Sequence, residues 1–598
     1  MSHRARRHTA AIGLGGLLAA GIAAAPPAGA ASPVEGITVF LRAPNAAGLD
    51  RLAAATGLTH AQRVRRLARL VPSSASQDIV ASTLRHDGLS VGSQTGWSIT
   101  AAGPRNVVAS LFGSNPVLGT DPTVASLRAA TGALPIVPAA LSRYVAAAFP
   151  TTAGPAVFQH TAAVAGPGFR AAYTAPHRKP PGAGAHSDGR STIATLQLAD
   201  YSDSDLTTYA AKEGLPKIVG TSKYHQVAVD GGPTEADDSN GADIEVDLDQ
   251  ESILSTAPSA NQRPYFAPNT NAGFDDVFAS VFDDVVQNRH DNDGGDPNIT
   301  ALSSSWGGCE SGYGKKAIET AQTMIKAVTA AGVTVFASSG DDGIYDCGTS
   351  LLGLGGQTPD VDYPASSPQV IGVGGTNLAH QSGTATGNNG HNWHEKAWSC
   401  TSANSCAGGL SSVLPVLPGA SGGSGGGESG SAHSGAANSF AGFAEPAYQR
   451  TAIRRHLFAN QKHRMVPDIS ADGDPATGFD LYTSDSTYAS DENSRGLVEV
   501  GGTSLASPIS AALFTNTLAA AHRHTGVGNI HGALYTAHRK DPRAFRDVTS
   551  GSNGAAADRG SDPSVSAHRG YDTVSGLGAA LWPALTPYLL SKRKHHRH

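Results

Sequence analysis

The chain has 598 residues, 40% of them hydrophobic and 15% charged, with 71 glycines and a formal net charge of −6. That length exceeds a single ordinary domain, and the composition is that of a globular, loop-rich protein. The charge gives no electrostatic case for nucleic acid as a partner, and so few charged residues leave the electrostatic work to specific sites.

Arg4, Arg6 and Arg7 precede an apolar run from Ala10 to Ala25, and Ala28-Gly29-Ala30 offers a small-x-small cleavage site. Residues 1–30 are predicted to be a secretion signal, the run being too short and small-residue-rich for a membrane anchor. No later stretch is long and apolar enough to span a bilayer, so a secreted, extracellular and soluble mature protein is expected.

Residues 33–175 form a first unit. Strands are predicted at 36–41, 89–91 and 97–100, and helices at 46–56, 76–85 and 105–112, a pattern that suits a small α+β sandwich able to cover another domain. Residues 176–190 are rich in Pro, Gly and His and read as an extended, protease-accessible linker and processing region.

From 191 to 590 strands and helices alternate. Strands are predicted at 191–198, 225–229, 299–304, 333–337 and 370–373, and helices at 205–213, from 242, at 274–287 and at 315–331. Such alternation predicts an α/β fold, doubly wound around a mostly parallel sheet with helices on both faces. Residues 418–435 are Gly/Ser-rich and read as a flexible surface insertion. Asp291-Asn292-Asp293-Gly294 lacks the closing glutamate of an EF-hand and reads as a polar turn. The basic, His-rich tail 591–598 reads as solvated.

Four cysteines, Cys309, Cys347, Cys400 and Cys406, lack C-x-x-C spacing and are expected to be staples in an exported chain. Of the three pairings available, Cys309–Cys347 with Cys400–Cys406 is favoured because the second would close a short loop.

The chemistry centres on Val500-Gly501-Gly502-Thr503-Ser504-Leu505-Ala506-Ser507-Pro508. A strand at 496–500, a Gly-Gly turn and a small-residue helix put the Ser504 hydroxyl at a helix start, where unpaired N–H groups favour a developing oxyanion. No histidine lies in a segment suited to be its base. Instead Asp243 to Ile253 carries alternating carboxylates. At about 100° per residue, a helix would put Glu245 and Asp249 beside Ile244 and Leu248, with Asp247 and Glu251 on the other edge. Partial desolvation there raises carboxyl pKa values and suits proton transfer. Asp341, in Ser339-Gly340-Asp341, lies just past a buried strand, where α/β sheets place their crevices. Near the C-terminus, Asp547 and Asp572 flank a glycine-rich loop whose oxygens suit Ca²⁺.

Glu245-x-x-x-Asp249, Ser-Gly-Asp341 and Gly-Thr-Ser504-x-x-x-Pro508, in that order, resemble the sedolisin family, the serine-carboxyl peptidases of subtilisin-like fold. Residues 303–307, 362–368 and Val466-Pro467-Asp468-Ile469-Ser470-Ala471 also match. The resemblance implies Ser504 as nucleophile, Glu245 as base and then acid, Asp249 as the group orienting Glu245, and Asp341 as oxyanion donor. A carboxyl donates only when protonated, so acid activity is expected. It implies substrate binding by Ser305, Trp306 and Gly307, with strand addition by the peptide and Trp306 walling a side-chain pocket. It implies one Ca²⁺ held by Asp547, Asp572 and the carbonyls of Val548, His568 and Gly570. Residues 33–175 resemble, more weakly, a propeptide that inhibits its own enzyme. Gln197 stands where some members carry a glutamate that extends the carboxylate network, which puts that extension in doubt. The expected activity is that of a monomeric endopeptidase made as a zymogen and acting on proteins or peptides. A tripeptide-releasing exopeptidase and a non-catalytic binding protein on the same fold are the alternatives.

Overall fold

A computed structural model describes residues 34–112, 137–150, 156–157, 166–174, 189–234, 242–287, 295–341, 343–345, 359–380, 393–400, 422–435, 439–450, 452–453, 462–484, 497–553 and 565–590. The expected signal, residues 176–188 of the linker, the Asp291 turn and the tail from 591 lie outside these residues.

The N-terminal unit is a four-stranded antiparallel sheet in the order Ser90–Gln94, Ser98–Pro104, Val34–Leu41, Val145–Pro150. Its strand Val34–Leu41 is buried from Ile37 to Leu41 because both faces are covered there. Ile37, Val39 and Leu41 pack on Val80, Leu84, Val108 and Phe112 of two helices, Ser74–His86 and Arg105–Phe112. Phe40 points the other way and joins Trp97 and Phe149 in the core of the main unit. Trp97 meets Phe282 edge-on, with ring centroids 5.9 Å apart. The helix His60–Leu67 was not expected from the sequence. Its polar run carries a capping box, Thr59 with Gln62, that defines its start.

The main unit is built on one large sheet. Its order is Phe545–Arg546, Ala579–Ala580, Ile469–Asp472, Val370–His380, Thr334–Ser338, Ile299–Ser304, Thr192–Gln197, Asn261–Phe266, Val227–Ala228. Pairing from Ala579–Ala580 through Val227–Ala228 is parallel. Helices Asn271–Val286 and Lys315–Ala331 cover one face, and Asp243–Thr256 and Thr503–Ala520 the other. This is the expected doubly wound α/β architecture.

Two local expectations fail. The helix Asp243–Thr256 has no solvated edge: Glu245, Asp247, Asp249 and Glu251 are buried along with Ile244 and Leu248. It is enclosed because helix Thr503–Ala520, strand Phe479–Tyr482 and two further helices surround it. Residues 422–430 are not a surface insertion either. Gly423 N donates to Asp341 O at 2.6 Å, Gly425 N to Gly340 O at 2.6 Å, and Ser424 Oγ to Val574 O at 2.7 Å. A Cβ on Gly425 would lie 2.1 Å from Ser339 O, so glycine here permits close packing rather than flexibility.

Candidate active site

Ser504 is the second residue of helix Thr503–Ala520, whose N-cap is Gly502 with φ +88°. The Gly502 position is closed to side chains twice over. Its φ is left-handed, and a Cβ there would lie 2.6 Å from Asp341 Oδ2. The proline of the motif also has a local reason. Pro508 has no N–H to give to the carbonyl four residues back, Ser504 O. The hydroxyl of Ser305 faces that carbonyl instead, Oγ to O at 3.1 Å.

Ser305 Oγ is also 2.8 Å from Asp249 Oδ1 and lies near Glu245, whose pKa it lowers. The resemblance implied that Asp249 orients Glu245; the hydroxyl bound to Asp249 Oδ1 is that of Ser305, and Asp249 acts on Glu245 through its charge. On the far side of Asp249, Gln197 Nε2 donates to Oδ2 at 2.7 Å. The Trp306 indole N–H donates to Gln197 Oε1 at 3.1 Å, and since indole is donor-only this orients the amide with its NH₂ toward Asp249. The network therefore does extend past Asp249, through a neutral amide. Trp306 is fully buried in this support, so its side chain backs Gln197 and walls no open pocket.

Burial pushes the Glu245 carboxyl well above the carboxylate range and Asp249 adds to it, while the nearby Ser504 hydroxyl opposes the shift. Its Oε1 is buried without a hydrogen-bond partner among the described residues. Burial likewise raises Asp249 to about 7, against the bonds from Ser305 and Gln197. Asp341 is clamped by Thr503, whose N and Oγ1 both donate to its Oδ1 at 2.7 Å. Its charge is felt at Glu245. Ser504, Glu245, Asp249 and Asp341 are thus assembled around one helix start.

Backbone atoms of Trp306 and Gly307 pair antiparallel with Val157 and Ala156, while Gly308 and Cys309 pair with Tyr363 and Asp362. The strand expected to receive a peptide thus carries a segment of this chain. Cys309 is disulfide-bonded; Cys347 and Cys406 lie outside the described residues, so the pairing is not seen.

Two of the expected calcium ligands, Asp547 and Asp572, are bound by the same loop. Gly570 N donates to both carboxylate oxygens of Asp547 (3.1 and 3.2 Å), and His568 N to Asp572 Oδ2 at 2.9 Å. The loop 568–570 thus holds both carboxylates, while Val548 is buried beside them. The two carboxylates supply oxygen donors of the kind Ca²⁺ prefers. No group of three or more His, Cys, Asp or Glu side chains suited to a metal occurs among the described residues.

The sheet order and helix placement define a subtilisin-like α/β protein, and the subtilase family model matches residues 282–551. Within that class, the chain is similar to members of the sedolisin family. It is similar to kumamolisin from Bacillus sp. (strain MN-32), 29% identical over 405 residues that cover 67% of this chain and 60% of the relative. It is similar to sedolisin from Pseudomonas sp. (strain 101), 28% identical over 419 residues, 68% of this chain and 59% of that one. The chain spans about three fifths of the length of these curated relatives. A solved structure of Pseudomonas sedolisin complexed with two molecules of pseudo-iodotyrostatin shares the fold. Its TM-score is 0.52 at 23% identity, covering 72% of this chain and 98% of that one.

Proposed function

We propose that this chain is a secreted, acid-active serine-carboxyl endopeptidase made as a zymogen. The observation that carries the reading is the base itself: a buried glutamate, Glu245, lies close enough to the Ser504 hydroxyl at the helix start for that hydroxyl to oppose the rise of its pKa.

In this reading Glu245 accepts the Ser504 proton as Oγ attacks the peptide carbonyl carbon. The carbonyl oxygen becomes an oxyanion and receives a hydrogen bond from protonated Asp341. Collapse breaks the C–N bond, the leaving amine takes the proton from Glu245, and an acyl-enzyme remains on Ser504. Water, losing its proton to Glu245, then attacks the ester, and release of the acid returns the proton to Ser504.

Acid favours the donor side of the arrangement, while Glu245 must be ionised to act as base, which sets an acid limb. Asp341 donates only as the acid, and a protonated Asp249 can donate to Ser305, freeing the single Ser305 hydrogen for Ser504 O. A deprotonated Asp249 competes for that hydrogen.

The zymogen reading draws on the segment Ala156–Val157 lying on the strand Trp306–Cys309, and on Ser504 being fully buried in the full chain. An internal segment, with chain continuing on both sides, favours an endopeptidase over tripeptide release. Secretion draws on the arginines and apolar run at the N-terminus. One Ca²⁺ at Asp547 and Asp572 would tie loop 568–570 to the sheet edge at Phe545–Arg546. Chelation is expected to lower the melting temperature, and an unchanged melt would remove the cation from the reading.

The central test shifts full-length protein from neutral pH to about pH 4 beside Ser504→Ala, with an unfolded protein present, under mass spectrometry. Loss of the N-terminal unit and substrate cleavage in the wild type alone is the expected result. Two intact chains would sink the catalytic reading.

A further inference from the structure

Arg63, on the helix His60–Leu67, is completely buried although no carboxylate among the described residues pairs with it. Its side chain leaves the N-terminal unit and enters the C-terminal end of helix Lys315–Ala331. Nη1 donates to Ala330 O at 3.1 Å and to Thr329 O at 3.5 Å; Nη2 donates to Val527 O at 2.8 Å and back to Ala55 O at 2.9 Å. These acceptors are all main-chain carbonyls, and three belong to the main unit. A helix C-terminus adds its negative dipole end to them.

The rim is built of glycine. A Cβ on Gly528, at φ +78°, would lie 3.0 and 3.1 Å from the two Nη atoms, and one on Gly332, at φ +124°, 3.3 Å from Arg63 Cδ. Main-unit bonds alone fix this rim: Gly528 N donates to Gly332 O at 2.6 Å, and Thr334 Oγ1 to Gly528 O at 2.7 Å. Arg523 reaches back from the main unit, Nη2 to Leu58 O at 3.4 Å. A planar fork of five donors can serve several carbonyls at once, as a single ammonium cannot. Burial, and then the charges of Arg523 and Arg66, lower the Arg63 pKa only to about 10, so it stays a cation in acid and at neutrality.

We propose that this pocket is a guanidinium-specific socket and that Arg63 is the anchor clamping the N-terminal unit onto the catalytic unit. Once that unit is lost, the socket is open to an arginine side chain of another peptide or protein. It lies at the opposite end of helix Thr503–Ala520 from Ser504, about 25 Å along the helix axis, so its occupant need not compete with substrate. The role of Arg63 rests on the zymogen reading.

The test uses the full-length Ser504→Ala chain, with Arg63→Ala and Arg63→Lys added separately, and follows amide exchange at Gly526, Gly528 and the last turn of Lys315–Ala331 at neutral pH. A buried arginine anchor removed from an interface is expected to speed opening roughly thirtyfold. Methylguanidinium should slow it again in Arg63→Ala, whereas methylammonium at the same concentration should not. Parent-like exchange in Arg63→Ala, or equal protection by the two cations, overturns the proposal. Should Arg63→Ala not fold, Arg63→Lys decides: faster exchange supports the guanidinium requirement, and parent-like exchange overturns it. Acid processing of the Ser504-intact chain is read separately, so its failure removes the zymogen reading without deciding whether the socket binds guanidinium.

Discussion

Asp249 and Asp468 are both fully buried aspartates of the same unit, and burial drives the pKa of each upward. Asp249 is surrounded by neutral donors, the Ser305 hydroxyl and the Gln197 amide, and ends at about 7. At Asp468 burial is outweighed by the Arg464 guanidinium, which binds it through both nitrogens at 2.9 and 2.6 Å, and by His531 at 3.1 Å. Tyr535 OH and Gly372 N complete its shell, and its pKa falls below the carboxylate range. Equal burial thus gives opposite proton states. Hydroxyls and amides leave a carboxyl able to exchange its proton near neutrality, whereas a buried cation locks it as a structural anion.

The largest expected contrast is in activity. Ser504→Ala and Glu245→Gln should each lower kcat by roughly 10⁶-fold, the scale on which nucleophile and base fail together. Both should fold normally, since Glu245→Gln removes a buried carboxyl that burial already disfavours as an anion. A Glu245→Gln enzyme with even a hundredth of wild-type kcat would disqualify Glu245 as the base.

The counterpart break is in stability. Asp468→Asn leaves Arg464 buried without its anion and should cost about 3–5 kcal/mol. The pH dependence separates the two clusters by sign. Asp249 and Glu310, both raised to about 7, stabilise the fold fully below the ordinary carboxylate pKa, and that contribution is lost as pH rises toward 7. Asp468, depressed, stabilises above the ordinary aspartate pKa and loses its contribution as pH falls through its folded value. Denaturant titration of the Ser504→Ala chain between pH 4 and 7 should show stability falling with pH. Removing Asp468 should leave that slope intact while lowering the whole curve.

Asp341→Asn is the next step down. An amide donates at every pH, so the variant should lose about 10²–10³-fold in kcat at most, the worth of one oxyanion donor, yet keep its residual activity toward neutrality. A pH profile that still collapses above acid pH would show that Asp341 protonation does not set the limit.

How much of this was legible in the sequence depends on what fixed each feature. The helix start at Ser504, the turn after Ala337 and the alternation of elements are local, and the motifs placed Glu245, Asp249, Asp341 and Ser504 without a structure. Burial is not local. The acidic helix looked half-solvated because its own pattern could not reveal that a second helix and a strand would cover its charged edge. Ser305 was assigned to substrate, yet one signal pointed elsewhere: a proline four residues after the nucleophile leaves the Ser504 carbonyl needing an outside donor. Glycines 422–430 read as slack because packing against Ser339 and Asp341 comes from more than 80 residues away. Arg63 sat on a helix too polar to register by periodicity.

The smallest prediction tests the neutral end of the catalytic cluster. Gln197→Glu keeps the shape and the acceptor for the Trp306 indole but exchanges the amide donor at Asp249 Oδ2 for a second carboxyl 2.7 Å away. Two carboxyls that close cannot both ionise readily, so they must share a proton, and the negative charge they retain disfavours ionised Glu245. The acid limb of the pH–rate profile should therefore move to higher pH, by up to about one unit or 1.4 kcal/mol. Activity at the optimum should change little, because no group touching substrate is altered. A limb that stays in place would mean that the charge state beyond Asp249 is not felt at the base. A limb that moves to lower pH would mean that the amide, and not the absence of charge, was holding the Glu245 pKa up.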